Sequence, residues 1–292
     1  MNVDFGRMMT AMVTPFDHNQ KIDWEQTERL VDFLIEEQKN DCLVVCGTTG
    51  ESPTLSDEEM IELFQKTIQF ANGRCKIIAG TGSNNTKHAI EMTLEAEKIG
   101  VDGVLVVAPY YSRPNQQGLY EHFKTIAQST SLPIMLYNIP KRSGVSIEAQ
   151  TIIQLAQVPN IVATKEAHND FDLISQIIFN TDHDFKVYSG DDSLTLPMLS
   201  IGAHGVVSVA GHIIGKEIKA MLTAYANGET EKAIELHQRC HPIFTGLFLC
   251  PSPSLVKYAL GLLDMKVGGV RLPMTEATDE GKLHIRDLID KI

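Results

Sequence analysis

Eight short apolar, β-branched runs recur along the chain with helix-like segments between them, and this alternation limits the fold more than any other feature of the sequence. The runs span residues 8–13, 42–46, 76–79, 103–107, 133–137, 161–165, 185–188 and 205–209. Their starts lie about 28 residues apart, room for one strand, one helix and two short connections, the repeat unit of parallel α/β architecture. Nearly uninterrupted apolar character is the pattern of strands covered by helices. Eight such units point to a closed (β/α)8 barrel (TIM barrel), with an open doubly wound sheet as the rival. The rival often carries a glycine-rich dinucleotide loop after its first strand. Here that strand runs into Thr14-Pro15-Phe16, and the nearest imitation, Gly80-Thr81-Gly82, lacks the third glycine.

Helix signals fill the gaps. Ser56-Asp57-Glu58-Glu59 reads as a capping box ahead of Met60, Ile61, Leu63 and Phe64, and Asp23-Trp24-Glu25-Gln26 resembles one ahead of Leu30, Val31, Leu34 and Ile35. Gly100 and Gly228 read as C-terminal stops. After about residue 214 strand signals cease, and helical patterns at 216–226, 230–249, 255–263 and 280–292 run to the end. The expected organisation is a barrel over residues 1–214 and a C-terminal helical region over 215–292 packed on it.

Composition narrows the class. A chain of 292 residues, 43% hydrophobic and 21% charged, can bury a large core. Its formal charge of -12, with no lysine and arginine cluster interleaved with aromatics, argues against a nucleic-acid surface. No segment reaches the roughly 18 uninterrupted apolar residues of a membrane span, so a cytoplasmic protein is expected. The five cysteines are irregularly spaced, Cys42 and Cys46 falling on one face of a predicted strand, and fit neither a disulfide framework nor zinc; the scattered histidines show no ligand spacing. No catalytic metal is expected.

The chemistry centres on Lys165, inside the apolar run Ile161-Val162-Ala163-Thr164-Lys165. Strand alternation places it on the face of Ile161 and Ala163. Desolvation disfavours the ammonium and turns a lysine into a nucleophile able to form a Schiff base with a carbonyl carbon. A snorkelling lysine, or one paired with the adjacent Glu166, is the structural alternative.

In a parallel barrel the catalytic groups gather at the C-terminal strand ends. Strand two runs into Gly47-Thr48-Thr49-Gly50-Glu51, strand four into Pro109-Tyr110-Tyr111, strand five into Tyr137-Asn138-Ile139-Pro140-Lys141-Arg142, and strand seven into Ser189-Gly190-Asp191-Asp192. Each also has a plain reading: a turn for Thr48 and Thr49, packing for the tyrosines, a solvated charge for Arg142, a helix start for Gly190-Asp191-Asp192. Jointly they answer one chemical need. A lysine condensing with a 2-keto acid needs a proton shuttle, which tyrosine and threonine hydroxyls supply, and donors for the acid's carboxylate, which the amides of the Gly47-Thr48-Thr49-Gly50 loop supply. Arg142 suits a carboxylate on a second substrate.

These motifs, with Thr10-Ala11-Met12-Val13-Thr14-Pro15-Phe16, Ala79-Gly80-Thr81-Gly82, Tyr137-Asn138-Ile139-Pro140, Lys165-Glu166 and Arg271-Leu272-Pro273, occur in the order found in the pyruvate-dependent aldolases. The chain resembles the dihydrodipicolinate (4-hydroxy-tetrahydrodipicolinate) synthase branch of that family, which also includes N-acetylneuraminate lyase. Thr48-Thr49, and an arginine two residues after Pro140, match the synthases where the sialic acid lyases differ. The resemblance implies addition of a pyruvate enamine, formed on Lys165, to L-aspartate 4-semialdehyde, in lysine and diaminopimelate synthesis and without organic cofactor or metal. It implies that Tyr137 is the general acid/base, that Thr48 and Tyr111 complete the proton relay with Tyr111 lent by a neighbouring subunit, and that Thr49 binds the pyruvate carboxylate. It further implies Arg142 on the semialdehyde carboxylate, backbone carbonyls from Gly190 and Val207, and a homotetramer built from dimers.

Three stretches depart from the family's pattern: Lys141 beside Arg142, Ala167-His168-Asn169-Asp170 after the lysine, and Ser252-Pro253-Ser254-Leu255-Val256-Lys257. They leave a sibling aldolase or lyase, acting on a sialic acid or deoxy-keto-acid sugar, as the alternative enzyme; a catalytically silent ligand sensor, the alternative class, is expected to lose part of the relay, whereas Thr48, Tyr111, Tyr137 and Lys165 are all present. Lysine-inhibited relatives carry histidines after the Thr-Thr-Gly-Glu loop and an acidic residue four past the position of Asn84. Asp57, Met60 and His88 stand there in this chain, so weak or absent lysine feedback is expected.

Overall fold

The computed structural model describes residues 3–291. Strands β1 (Met8–Ala11), β2 (Cys42–Val45), β3 (Lys76–Gly80), β4 (Gly103–Val107), β5 (Ile134–Asn138), β6 (Ile161–Glu166), β7 (Lys186–Ser189) and β8 (Gly205–Ser208) form one closed parallel barrel in sequence order. Closure is made by β1 against β8, with Met9 opposite Val207. An open sheet is thereby excluded, and each expected strand lies within two residues of its observed position.

Alternation along the strands builds two cores. Met9, Val44, Ile78, Leu105, Met135 and Tyr188 fill the barrel, while Leu43, Val45, Val104, Val106, Leu136 and Val206 face the surrounding helices. Strand β6 interrupts the rule. Its register against β5 shifts between Ile134 and Met135, so Ile161 joins the outer core while Ala163 lies inside the barrel. The expectation that Ile161 shares the face of Lys165 is therefore corrected: a bulge inserts one residue and reverses the side. A similar correction applies to Cys46, which lies past the end of β2 with φ +55° and packs in the outer core, whereas Cys42 faces the barrel interior.

The helices are α1 (Trp24–Asp32, continued by a π-helical turn at Phe33–Glu37), α2 (Asp57–Ala71), α3 (Thr86–Ile99), α4 (Gln116–Ser129), the single turn α5 (Pro140–Ser143), α6 (Ala149–Leu155), α7 (Phe171–Asn180) and α8 (Thr195–Ser200). The capping box of α2 is complete, Glu59 N–H donating to Ser56 Oγ and Ser56 N–H to Glu59 Oε2. Asp23 caps α1 through Gln26 N–H alone. Gly100 ends α3 in the left-handed region at φ +90°.

After residue 214 come α9 (Gly215–Ala226), α10 (Thr230–Gly246), α11 (Ser254–Leu262) and α12 (Asp279–Ile289). The outer core is continuous from Met8 to Ile285, so these helices share apolar burial with the strands. They are also tied to the barrel mouth by a buried ion pair, Lys257 Nζ to Glu51 Oε1 at 2.6 Å. Lys257 also donates to Gly269 O and lies over the Phe16 ring, while the Arg271 guanidinium holds Glu59 and the carbonyls of Gln20 and Thr54. Burial lowers the pKa of Lys257 to about 8, against the pull of Glu51. Among the described residues no helix is long and apolar enough to cross a membrane, and no group of acidic, histidine or cysteine side chains is placed to hold a metal.

Candidate active site

Lys165 and Tyr137 are register partners on β6 and β5, near the C-terminal ends of both strands. Both side chains enter the barrel, each 5% exposed, and Lys165 Nζ lies 4.3 Å from the centroid of the Tyr137 ring. Burial lowers the pKa of Lys165 to about 8; the Asp192 carboxylate opposes the shift and the Arg142 guanidinium adds to it. Burial raises the Tyr137 phenol to about 12, while Arg142 and the hydrogen-bonding Thr48 side chain pull it down. The site thus holds an amine that loses its proton far more readily than an ordinary lysine beside a phenol that keeps its own, a pairing suited to nucleophilic attack with acid assistance.

Glu166 does not serve Lys165 as an ion-pair partner. One residue along β6, it faces out of the barrel and is fully buried, bonded to Thr164, Asn138 and His168. The strand pleat that turns Lys165 inward turns Glu166 away.

The loop after β2 is both a turn and a set of donors. Gly50 N–H donates to Gly47 O and Glu51 N–H to Thr48 O, each at 3.1 Å. Among the described residues nothing accepts from the Thr48 or Thr49 amide, which leaves two adjacent donors for an anion. Thr49 is buried and Thr48 half-buried, and Thr14 Oγ1 braces the loop by donating to Gly50 O at 2.6 Å. Thr48, Tyr110, Ile139 and Arg142 line a cleft of about 460 Å³, with Asp57 and His88 also on its wall. Arg142, on the turn α5, remains exposed.

Gly190 follows β7 and donates its N–H to Glu166 O at 2.8 Å. A Cβ there would stand 2.8 Å from Ala167 Cβ and 3.0 Å from Lys165 Cε, so only glycine lets this backbone close over the lysine. Val207 lies on the inner face of β8, buried. Tyr111 does not join the group within its own chain. It is 90% exposed at φ +72°, its N–H donating to Ser143 O, and it does not line the cleft.

Asp192 escaped the sequence reading, which saw only a helix start. Asp191 does cap the following 3-10 turn, accepting from Ser193 N–H at 2.9 Å. Asp192 is instead a buried carboxylate accepting from Ser208 Oγ, Val209 N–H and Ala210 N–H. Burial raises its pKa and those donors oppose the rise. Two adjacent aspartates carry no signal that one is a half-buried cap and the other is sealed in by the end of β8 and the turn after it.

Fold and site together define a Schiff-base type of barrel enzyme: a closed (β/α)8 scaffold delivering a desolvated lysine and a phenol to one mouth. Residues 4–292 match the model of the dihydrodipicolinate synthetase family, and the chain belongs to that family. It is 51% identical to 4-hydroxy-tetrahydrodipicolinate synthase 2 of Halalkalibacterium halodurans over 99% of both chains. It is 50% identical to the 4-hydroxy-tetrahydrodipicolinate synthase of Bacillus subtilis, over 99% of this chain and 100% of the relative. The crystal structure of a dihydrodipicolinate synthase from Bacillus anthracis superposes with a TM-score of 0.97 at 48% identity, covering 99% of each chain.

Proposed function

We propose that this chain condenses pyruvate with L-aspartate 4-semialdehyde to give 4-hydroxy-tetrahydrodipicolinate, a lyase reaction of lysine and diaminopimelate synthesis, in the cytoplasm. The full-length relatives carry this activity in their names. The observation that most supports it in the molecule is the buried Lys165 amine 4.3 Å from the Tyr137 ring at the barrel mouth.

The Lys165 amine attacks the keto carbon of pyruvate, and the carbinolamine loses its oxygen as water, protonated by Tyr137. Loss of a methyl proton from the imine gives an enamine, which adds to the aldehyde carbon of the second substrate. That substrate's own amine then attacks the imine carbon, closing the ring and returning Lys165 to its free form. Two carbonyl oxygens enter the sequence: one leaves as water and the other remains as the ring hydroxyl. Thr48 relays protons with Tyr137, the Thr48 and Thr49 amides and the Thr49 hydroxyl seat the pyruvate carboxylate, and Arg142 receives the semialdehyde carboxylate. The backbone carbonyls of Gly190 and Val207 line the lysine side.

Tyr111 completes the relay from a neighbouring subunit in a homotetramer of paired dimers. Its outward, left-handed placement supports this, since the phenol is of no use to its own cleft. The deciding experiment follows cyclic product formation from the two substrates by mass spectrometry, with Lys165→Ala as control. Turnover lost in the control supports donor, acceptor and nucleophile together. A borohydride-reducible pyruvate adduct on Lys165 without turnover would move the acceptor to another aldehyde, and absence of the adduct would refute the Schiff base.

A further inference from the structure

Directly behind Lys165 and Tyr137 lies a buried polar network that the reaction does not itself use. The residues following them, Glu166 and Asn138, are again register partners, and both are fully buried on the outer face of the barrel. Glu166 Oε1 accepts from the Thr164 hydroxyl. Its Oε2 accepts from Asn138 Nδ2 at 2.8 Å and from His168 Nε2 at 2.6 Å. Asn138 extends the network to the loop that carries Arg142, donating to Ile147 O at 3.1 Å and accepting from Ile147 N–H at 3.0 Å.

The tautomer of His168 is set by its other nitrogen. Asp170 N–H, a donor by necessity, points at Nδ1 from 3.1 Å, so Nδ1 accepts and Nε2 carries the hydrogen aimed at Glu166. Asn138 Nδ2 and His168 Nε2, 3.4 Å apart, are two donors converging on one oxygen. The His168 side chain is only 10% exposed and closes the network toward solvent. A buried carboxylate keeps a single geometry only when its lone pairs are all engaged, and this one borders both reactive side chains through the backbone.

We infer that His168 is a positioning residue of this enzyme: by donating to Glu166 it locks the paired ends of β5 and β6, and with them the mutual placement of Tyr137 and Lys165. The inference rests on the roles proposed above for those two residues. The network touches β5, β6 and the 139–147 loop and does not reach the Thr48-Thr49 loop on the opposite strand. Its loss therefore acts on the chemical steps more than on pyruvate capture.

The test compares His168→Leu, which fills the space without a donor, with His168→Gln, whose amide presents a donor and an acceptor. The full-length enzyme is assayed for kcat, for the KM of pyruvate and for borohydride-trapped pyruvate on Lys165. In His168→Leu, kcat should fall between about tenfold and a hundredfold, the scale of slight misplacement of reacting groups, while the pyruvate KM stays within about threefold. His168→Gln should recover kcat to within about threefold of wild type. If His168→Leu does not fold, His168→Met, which fills the same space and likewise brings no donor to Glu166, carries the same expected loss. Wild-type kcat in the donor-less variant, or equal losses in both variants, overturns the inference while leaving the Schiff base standing. Failure of wild-type enzyme to trap pyruvate on Lys165 removes the reading beneath it and the inference together.

Discussion

Replacing Lys165 by methionine should abolish turnover and make the protein more stable at neutral pH. The wild-type fold holds the amine at a pKa of about 8, against an ordinary value of 10.5, chiefly because burial penalises the ammonium. The folded state therefore binds fewer protons than the unfolded chain between those two values, and stability rises with pH across that window. Below pH 8 the group is charged in both states and the full penalty is present; above about pH 10.5 it is gone. At pH 7 the linkage amounts to about 3 kcal/mol, and at pH 9 to about 2 kcal/mol. A methionine of similar length removes it. Equilibrium denaturation of both proteins at pH 7, 9 and 10 reads the difference, because the titrating groups not coupled to Lys165 are shared and cancel. The expected result is a Lys165→Met advantage that is largest at pH 7 and shrinks as pH rises. An advantage that is absent at pH 7, or independent of pH, would refute the claim that Lys165 is held desolvated at the cost of stability.

Three further outcomes are expected. Tyr111→Phe should fold normally and lose turnover by about a hundredfold, the scale of a lost proton-transfer group, and dilution to monomers should inactivate the wild type; an active dilute monomer would remove the borrowed tyrosine. Lys257→Met should destabilise the protein by about 3–5 kcal/mol, because Glu51, whose side chain is 1% exposed, would remain buried without its counter-charge; a melting temperature within a degree or two of wild type would contradict this. L-Lysine at sub-millimolar concentration should leave turnover unchanged, since the Asp57 carboxylate on the cleft wall is already engaged by His88 at 3.0 Å; substantial inhibition in a steady-state assay would show the pair opens to an amine.

Much of the site was readable because its residues sit where a local pattern meets a strand end. The run 161–165 announced an apolar strand, and a lysine within it is conspicuous because burying an amine carries a cost that chance seldom tolerates. The Gly47-Thr48-Thr49-Gly50 turn was legible from its glycines, and the α2 cap from Ser56 and Glu59. Partners distant in sequence were not. Asp192 owes its burial to Ser208, Val209 and Ala210, and Glu51 its counter-charge to Lys257. His168 stood out only as an unusual residue after Lys165, with nothing in the chain to join it to Asn138.

The amino-acid sequence by itself determined the alternation of strands and helices, the strand ends and the residues gathered there, because periodicity, capping and turn chemistry act over a few residues. Tertiary structure alone decided closure through β1 and β8, the bulge that sends Ile161 out of the barrel, and which of Lys165 and Glu166 looks into it. Those outcomes depend on register between segments far apart in the chain. A shift of one residue exchanges the two faces of a strand, and only packing against the neighbouring strands selects which face looks inward.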